Sequence, residues 1–340
     1  VKKASRNLLR LLVSATALAC LLLQVDLRET AAALRSADIL LLVAAAACYG
    51  IGLAIRACRW WILVRSLDPE VGYLRLLKLY FIGQFFSSFL PSSFGGDVVR
   101  ALEFGQDTES TAAAGTVFLD RMIGLMVLFV GGLAALPFQA ARMGVGLTTL
   151  LLIVMAAGLG TGALVLESRL LRRLGARLPG ALSLAGEGWL ARVYSAVTGC
   201  GWRAVSTAAA LSAVFVGLNI LLFWLCGRAL GIGLEPPYYA AVVPLVGVSG
   251  LVPSVGGWGV REMVTTAVLT PAGVPAGVAA ALGVVMGVIP VVVALPGGLS
   301  YVLEASRGLL ARQRSGVSGP GAAGEDESGR PNSCGGDGLR

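Results

Sequence analysis

The chain has 340 residues, of which 56% are hydrophobic and only 14% charged, with a mean hydropathy of +0.81 and a formal charge of +8. Soluble domains carry about a quarter charged residues, so an ordinary water-soluble enzyme or a free nucleic-acid binder is excluded and a bilayer protein is indicated. His is absent and the six cysteines, at 20, 48, 58, 200, 226 and 334, show no paired spacing, so no metal, cofactor or disulfide framework is expected.

A helix needs roughly 20 apolar residues to cross about 30 Å of hydrocarbon. Stretches of that kind lie near 8–25, 38–56, 113–136, 145–166, 204–227 and 275–294. The first follows Lys2, Lys3, Arg6 and Arg10, which would also suit a signal peptide. Its apolar run continues past "ALAC" at 17–20, which fits a cleavage box poorly, so an uncleaved helix is expected. The second span leads into "RACRWW", 56–61. Trp60 and Trp61 there are expected to anchor at the membrane interface, with Arg56 and Arg59 gathering anionic head groups near the inner leaflet.

The next apolar stretch, about 76–105, is interrupted by "FLPSSFGGDVVR" at 89–100. The third span carries "LDRMIG", where Asp120, beside Arg121, has four readings: it pairs with neighbours of Arg121, accepts protons, neutralises Arg100, or is an interfacial anchor. After two more spans, the stretch 238–269 is interrupted by "LVPSVGGWGVRE" at 251–262, with the same order of parts: Pro-Ser, Gly-Gly, Val-Arg. Residues 1–310 are expected to form one polytopic domain. The Gly/Ser/Pro-rich 311–340 is too polar to build a core and is expected to be a disordered cytoplasmic tail.

Lys and Arg concentrate in alternate connections: at the N-terminus, at 56–78, at 169–203 and after 307. Positively charged loops stay in the cytoplasm, which predicts a multi-pass protein of the cytoplasmic membrane with both termini inside. Each interrupted stretch then becomes a hairpin returning to its own side, one entering from the cytoplasm and one from the exterior. The expected fold is all-α and integral to the membrane. It has six spanning helices plus two re-entrant helical hairpins, forming inverted-topology repeats over about 38–136 and 204–294. Secondary transporters are often built this way, with the substrate near the midplane.

The repeated element suits a binding site. Pro91 and Pro253 break helices, while Gly95, Gly96, Gly256 and Gly257 permit turns. The tips, with Ser92 and Ser254, expose backbone that is tolerable at membrane depth only beside a cavity. A helix restarting after each Gly pair would offer its N-terminal amides to an anion, and Arg100 and Arg261, one turn on, would add a full charge. Phosphate is the natural guest. The competing reading pairs these arginines with Asp97 and Glu262 as purely structural ions. Charge inside a bilayer is costly and usually marks function, which favours a substrate role.

"RACRWW", "FIGQFFSSFLPSSFGGDVVRALEF", "TVFLDRMIGL", "VPSVGGWGVRE" and "PGGLSYVLE" resemble, in order, the blocks of the lysylphosphatidylglycerol synthase transmembrane region, a flippase-like family. The resemblance covers about residues 8–310. It implies movement of a phospholipid between leaflets without the soluble aminoacyltransferase domain that bifunctional members carry. The chain has no Walker A motif and no recognisable catalytic motif, so the expected function is ATP-independent, flippase- or scramblase-type translocation. The expected cargo is an anionic lipid or a polyprenyl-phosphate-linked amphiphile. One alternative is an integral-membrane lipid-linked glycosyl or aminoacyl transferase, for which Asp26, Glu29 and Asp38 offer a small opening but no D-x-D motif. Another is a non-catalytic partner of an envelope-lipid synthesis complex. The expected partners are membrane lipids and a lipid-modifying enzyme, with no nucleic acid.

Overall fold

A computed structural model describes residues 26–90, 95–105, 110–166, 189–252 and 254–315, and all regular structure among them is helical. In chain order the helices are α1 (Leu27–Arg35), α2 (Ile39–Arg65), α3 (Tyr73–Phe89), α4 (Gly95–Gly105), α5 (Ser110–Leu166), α6 (Trp189–Ala229), α7 (Pro236–Ser249), α8 (Val260–Leu269) and α9 (Ala276–Ser315). The chain divides into a unit ending at Ser300 and a second starting at Tyr301. The described part of the second is the end of α9, which runs to Ser315. The expected first span, 8–25, and most of the expected tail lie outside the described residues.

Local chemistry sets several of these ends. Asp38 accepts hydrogen bonds from the amides of Leu40 and Leu41, so α2 starts on a side-chain cap. Among the described residues four runs, Ile39–Arg65, Gly115–Leu164, Gly199–Ala229 and Ala276–Leu303, are long and apolar enough to cross a membrane. Large apolar side chains such as Ile39, Leu40, Val43, Val130, Ile153, Val292 and Leu299 stand on the outside. Water would penalise such a surface, whereas lipid matches it. The protein is integral to the membrane.

The run Gly115–Leu164 has 50 residues. At about 1.5 Å per residue it would be more than twice the thickness of the hydrocarbon core if straight. It is not straight, because Gly144 sits at φ 72, a left-handed conformation that side-chain-bearing residues resist. Gly162 packs on Met126, Gly158 on Phe129 and Gly132 on Met155, so the two halves run antiparallel. The expected stretches 113–136 and 145–166 are thus the two arms of one helical run bent back on itself.

Four shorter helices come as two consecutive pairs, α3 with α4 and α7 with α8. With 11 and 10 residues, α4 and α8 are too short to cross the bilayer. Gly96 of α4 lies so close to α3 that a Cβ would collide with the Gly83 carbonyl oxygen and Ser87 Oγ. The "PGG" of α9 has the same use, since a Cβ at Gly297 would strike the Phe81 backbone and one at Gly298 the Phe85 ring.

The two copies of the repeated element meet. The Gly256 amide donates to the Leu90 carbonyl at 3.3 Å, joining the end of α3 to the turn before α8. They are not built alike, however. A helix restarting after each Gly pair was the expectation, and in the first copy α4 begins on Gly95 itself, so the pair is helical. In the second, Gly256, Gly257 and Gly259 all have positive φ, at 58, 80 and 84, and α8 starts only at Val260. The first pair serves close packing and the second serves chain reversal. Pro91 and Pro253 lie outside the described residues.

Candidate functional site

A cavity of about 330 Å³ opens where α2, α3, α4, α5, α6, α7, α9, the turn before α8 and the first turn of α8 converge. Arg56, Arg59, Arg100, Arg121 and Arg261 all line it, together with Asp97. Residues from both copies of the repeated element therefore share one space: Gly96, Asp97 and Arg100 from the first, Gly256, Trp258 and Arg261 from the second.

Behind the cavity wall Asp120 is the hub, itself 1% exposed. Arg59 Nε donates to its Oδ1 at 2.7 Å and Tyr80 donates its hydroxyl to Oδ2 at 3.0 Å. Arg100 Nη2 approaches the same Oδ2 at 3.4 Å and Asp97 Oδ1 at 3.3 Å. Arg121 closes the chain by pairing with Asp97 Oδ2. Arg59 also donates to Ser212 Oγ at 3.0 Å, and Gly124, lacking a Cβ, leaves room for its guanidinium. A network of alternating charges with short contacts is the arrangement that lets ions remain in a low-dielectric interior.

Arg100 is held by rings as well as by ions. Its guanidinium lies 4.5 Å from the Trp60 ring centroid and 4.2 Å from that of Tyr80. Its Nε is buried without a hydrogen-bond partner. Trp60 donates its indole N–H to Thr116 Oγ1 at 3.3 Å and packs edge-on against Phe104. Trp60 and Arg59, expected to anchor at the interface and gather head groups, are both almost fully buried within the protein. The reason is tertiary: Asp120 neutralises Arg59, and Trp60 is the platform under Arg100. Trp61 is half-buried and donates to the Val71 carbonyl at 2.9 Å.

The second copy has its own pair. Arg261 Nη2 donates to Glu262 Oε1 at 2.7 Å and its Nε to the Gly283 carbonyl at 3.1 Å, with the Trp258 ring 4.9 Å away. Glu262 Oε2 accepts the Gly259 amide at 2.6 Å, so this carboxylate caps α8 while pairing with Arg261. In both copies the third helical residue is acidic, Asp97 in α4 and Glu262 in α8.

Of the residues expected from sequence, Arg56, Arg59, Gly96, Asp97, Arg100, Arg121, Gly256 and Arg261 come together at the cavity. Asp120 and Glu262 contact these arginines from behind. Gly257 stands next to Arg261, and Gly95 packs on Leu90. Ser254 is buried, with its hydroxyl donating to the Val252 carbonyl at 3.3 Å. Ser92 lies outside the described residues. Sequence reasoning missed Tyr80, Gln84, Ser87, Ser88, Phe215 and Trp258 in the lining. Polar residues inside an apolar stretch, as in "FIGQFFSS", were the available signal for Gln84, Ser87 and Ser88.

Among the described residues no group of three or more potential metal ligands is present. A family model described as lysylphosphatidylglycerol synthase TM region matches residues 7–298. No curated protein matches the chain.

Proposed function

The chain belongs to the lysylphosphatidylglycerol synthase TM region family, and on that premise we propose that it translocates an anionic lipid or polyprenyl-phosphate-linked amphiphile across the cytoplasmic membrane without ATP. The observation that carries this reading is the shared cavity, in which five arginines from four different helices surround space for a head group. Pockets of roughly 300 Å³ and above accommodate small ligands, so a head group fits while acyl chains stay in the bilayer. In this reading the α3–α4 and α7–α8 pairs are re-entrant hairpins entering from opposite faces, within six spans and two inverted units. Both termini are cytoplasmic. Movement alternates access to the arginine cluster between the two leaflets. A lipid-modifying enzyme that supplies or consumes the cargo is the fitting partner.

The test is reconstitution into liposomes carrying fluorescent phosphatidylglycerol, with dithionite quenching of the outer leaflet. Wild-type protein is expected to expose inner-leaflet probe without nucleotide. Arg261→Gln is expected to slow this by roughly 5- to 30-fold, the equivalent of about 1–2 kcal/mol for a charged hydrogen bond lost from the transported state. Arg261→Gln with Glu262→Gln is expected to stay slow, although Gln at 262 still accepts the Gly259 amide. Full recovery in the double variant would reduce Arg261 to a counter-ion, and an inert wild type would remove translocation altogether.

A further inference from the structure

One ring joins two of the cavity arginines. The Tyr80 centroid lies 4.2 Å from the guanidinium carbon of Arg100 and 5.2 Å from that of Arg56. Trp60 lies on Arg100 at 4.5 Å and Phe215 on Arg56 at 5.3 Å. Rings and cations from α2, α3, α4 and α6 thus alternate in the order Trp60, Arg100, Tyr80, Arg56, Phe215, with Tyr80 at the centre. Tyr80 is 3% exposed, and its hydroxyl donates to Asp120 Oδ2 at 3.0 Å, so the ring is anchored to the hub of the ion network. Giving that proton to a carboxylate leaves the phenol oxygen, and through it the ring, richer in electrons.

Both arginines feel competing carboxylates. Asp97 and Asp120 pair with Arg100 and also act through space on Arg56. A carboxylate stabilises a guanidinium by neutralising it and taking its N–H groups, whereas a ring face stabilises the cation and takes neither. The strength of the shared ring therefore sets how much charge, and how many donors, the two arginines keep for the cavity that they and Tyr80 line. Accordingly, we propose that Tyr80 is the positioning residue of the anion site. Its ring holds Arg56 and Arg100 at the cavity wall against the pull of Asp97 and Asp120, already placed for the phosphate of a lipid head group. Ordering both guanidiniums before the ligand arrives removes that cost from binding. This inference rests on the translocation reading for the lipid nature of the cargo, and its test measures binding without transport.

The full chain in detergent micelles is titrated by calorimetry with dihexanoyl phosphatidylglycerol and, separately, with inorganic phosphate. Tyr80→Phe keeps the ring and loses the Asp120 bond, and is expected to weaken phosphatidylglycerol roughly 2- to 4-fold. Mono-, di- and trifluorinated phenylalanines at position 80 then drain the ring face with little change of shape, and affinity is expected to fall in that order, to about 10-fold or more below Tyr80→Phe. A role in packing alone would not follow the fluorine count. In an Arg56→Gln background the graded loss is expected to shrink by at least about half, because residues in contact couple. Trifluorinated phenylalanine at Phe129, which packs on Gly158, is expected to leave affinity unchanged. Thermal melts near that of the wild type establish that each variant is folded. A flat or rising series in folded protein would overturn the proposal, as would an equal loss from Phe129, an undiminished series in Arg56→Gln, or a wild type that binds no phosphatidylglycerol. Inorganic phosphate binding as tightly as phosphatidylglycerol would overturn the lipid source. A wild type that binds phosphatidylglycerol with the graded series yet moves no lipid would sink the transport reading and leave Tyr80 standing.

Discussion

Asp120→Asn is expected to deplete folded protein more than any other single change in the cavity wall. The substitution keeps the size of the side chain and an acceptor for the Tyr80 hydroxyl, but removes the charge that Arg59 and Arg100 share. Both guanidiniums are nearly fully buried. Leaving buried charge uncompensated costs about 3–5 kcal/mol, a large part of the stability of an ordinary domain. The expected result is a sharp fall in monodisperse yield on size exclusion and a lower melting temperature in detergent. Adding Arg59→Met should recover much of both, since replacing a buried ion pair with apolar side chains is often neutral. The recovery will be incomplete, because Ser212 also loses the Arg59 donor. An Asp120→Asn protein that melts with the wild type would show that these arginines do not depend on Asp120.

Gly256→Ala and Gly257→Ala are expected to differ sharply although the two residues are adjacent. Both have positive φ, so either alanine meets a backbone cost of roughly 1–2 kcal/mol. At Gly257 the nearest atom to an added Cβ is Arg261 Nη1 at 3.8 Å, an ordinary contact. At Gly256 the Cβ would overlap the Ser88 carbonyl oxygen, a backbone atom that no rotamer change can move. Overpacking of that kind adds about 1–3 kcal/mol, and relief requires breaking the Gly256 to Leu90 hydrogen bond that joins the two copies of the repeated element. Gly256→Ala should therefore melt well below Gly257→Ala and lose more translocation. Equal melting of the two variants would mean that the two copies do not meet as described.

Much of the architecture was legible because it follows from local properties. Hydropathy marks spans from their own residues, so 204–227 falls within α6, and 38–56 and 275–294 fall within α2 and α9 but for their first residue. The separation of 113–136 from 145–166 was visible in composition, and Gly144 is where the run bends. The repeated Pro-Ser-Gly-Gly element identified both interruptions and two glycines of the lining, Gly96 and Gly256, and the rarity of charge in an apolar chain identified six further residues that line the cavity.

What each of those residues does was not legible. The sequence by itself determined that this is a helical membrane protein with two interrupted segments and arginines inside, because length, hydropathy and helix breaking are properties of neighbouring residues. The two Gly pairs look alike in sequence, yet Gly96 is defined by its approach to Gly83 and Gly256 by its φ and by Ser88. Arg56 and Arg59 are one turn apart in "RACRWW", yet Arg59 is tied to Asp120 while Arg56 lies over the Tyr80 and Phe215 rings. Only the tertiary structure decided this, because pairing and burial are set by groups far away along the chain: Arg59 meets Asp120 across 61 positions and Ser212 across 153. Electrostatic energy in a low-dielectric interior falls with distance in space, not along the chain, so a charge's partner is fixed only once the helices have packed.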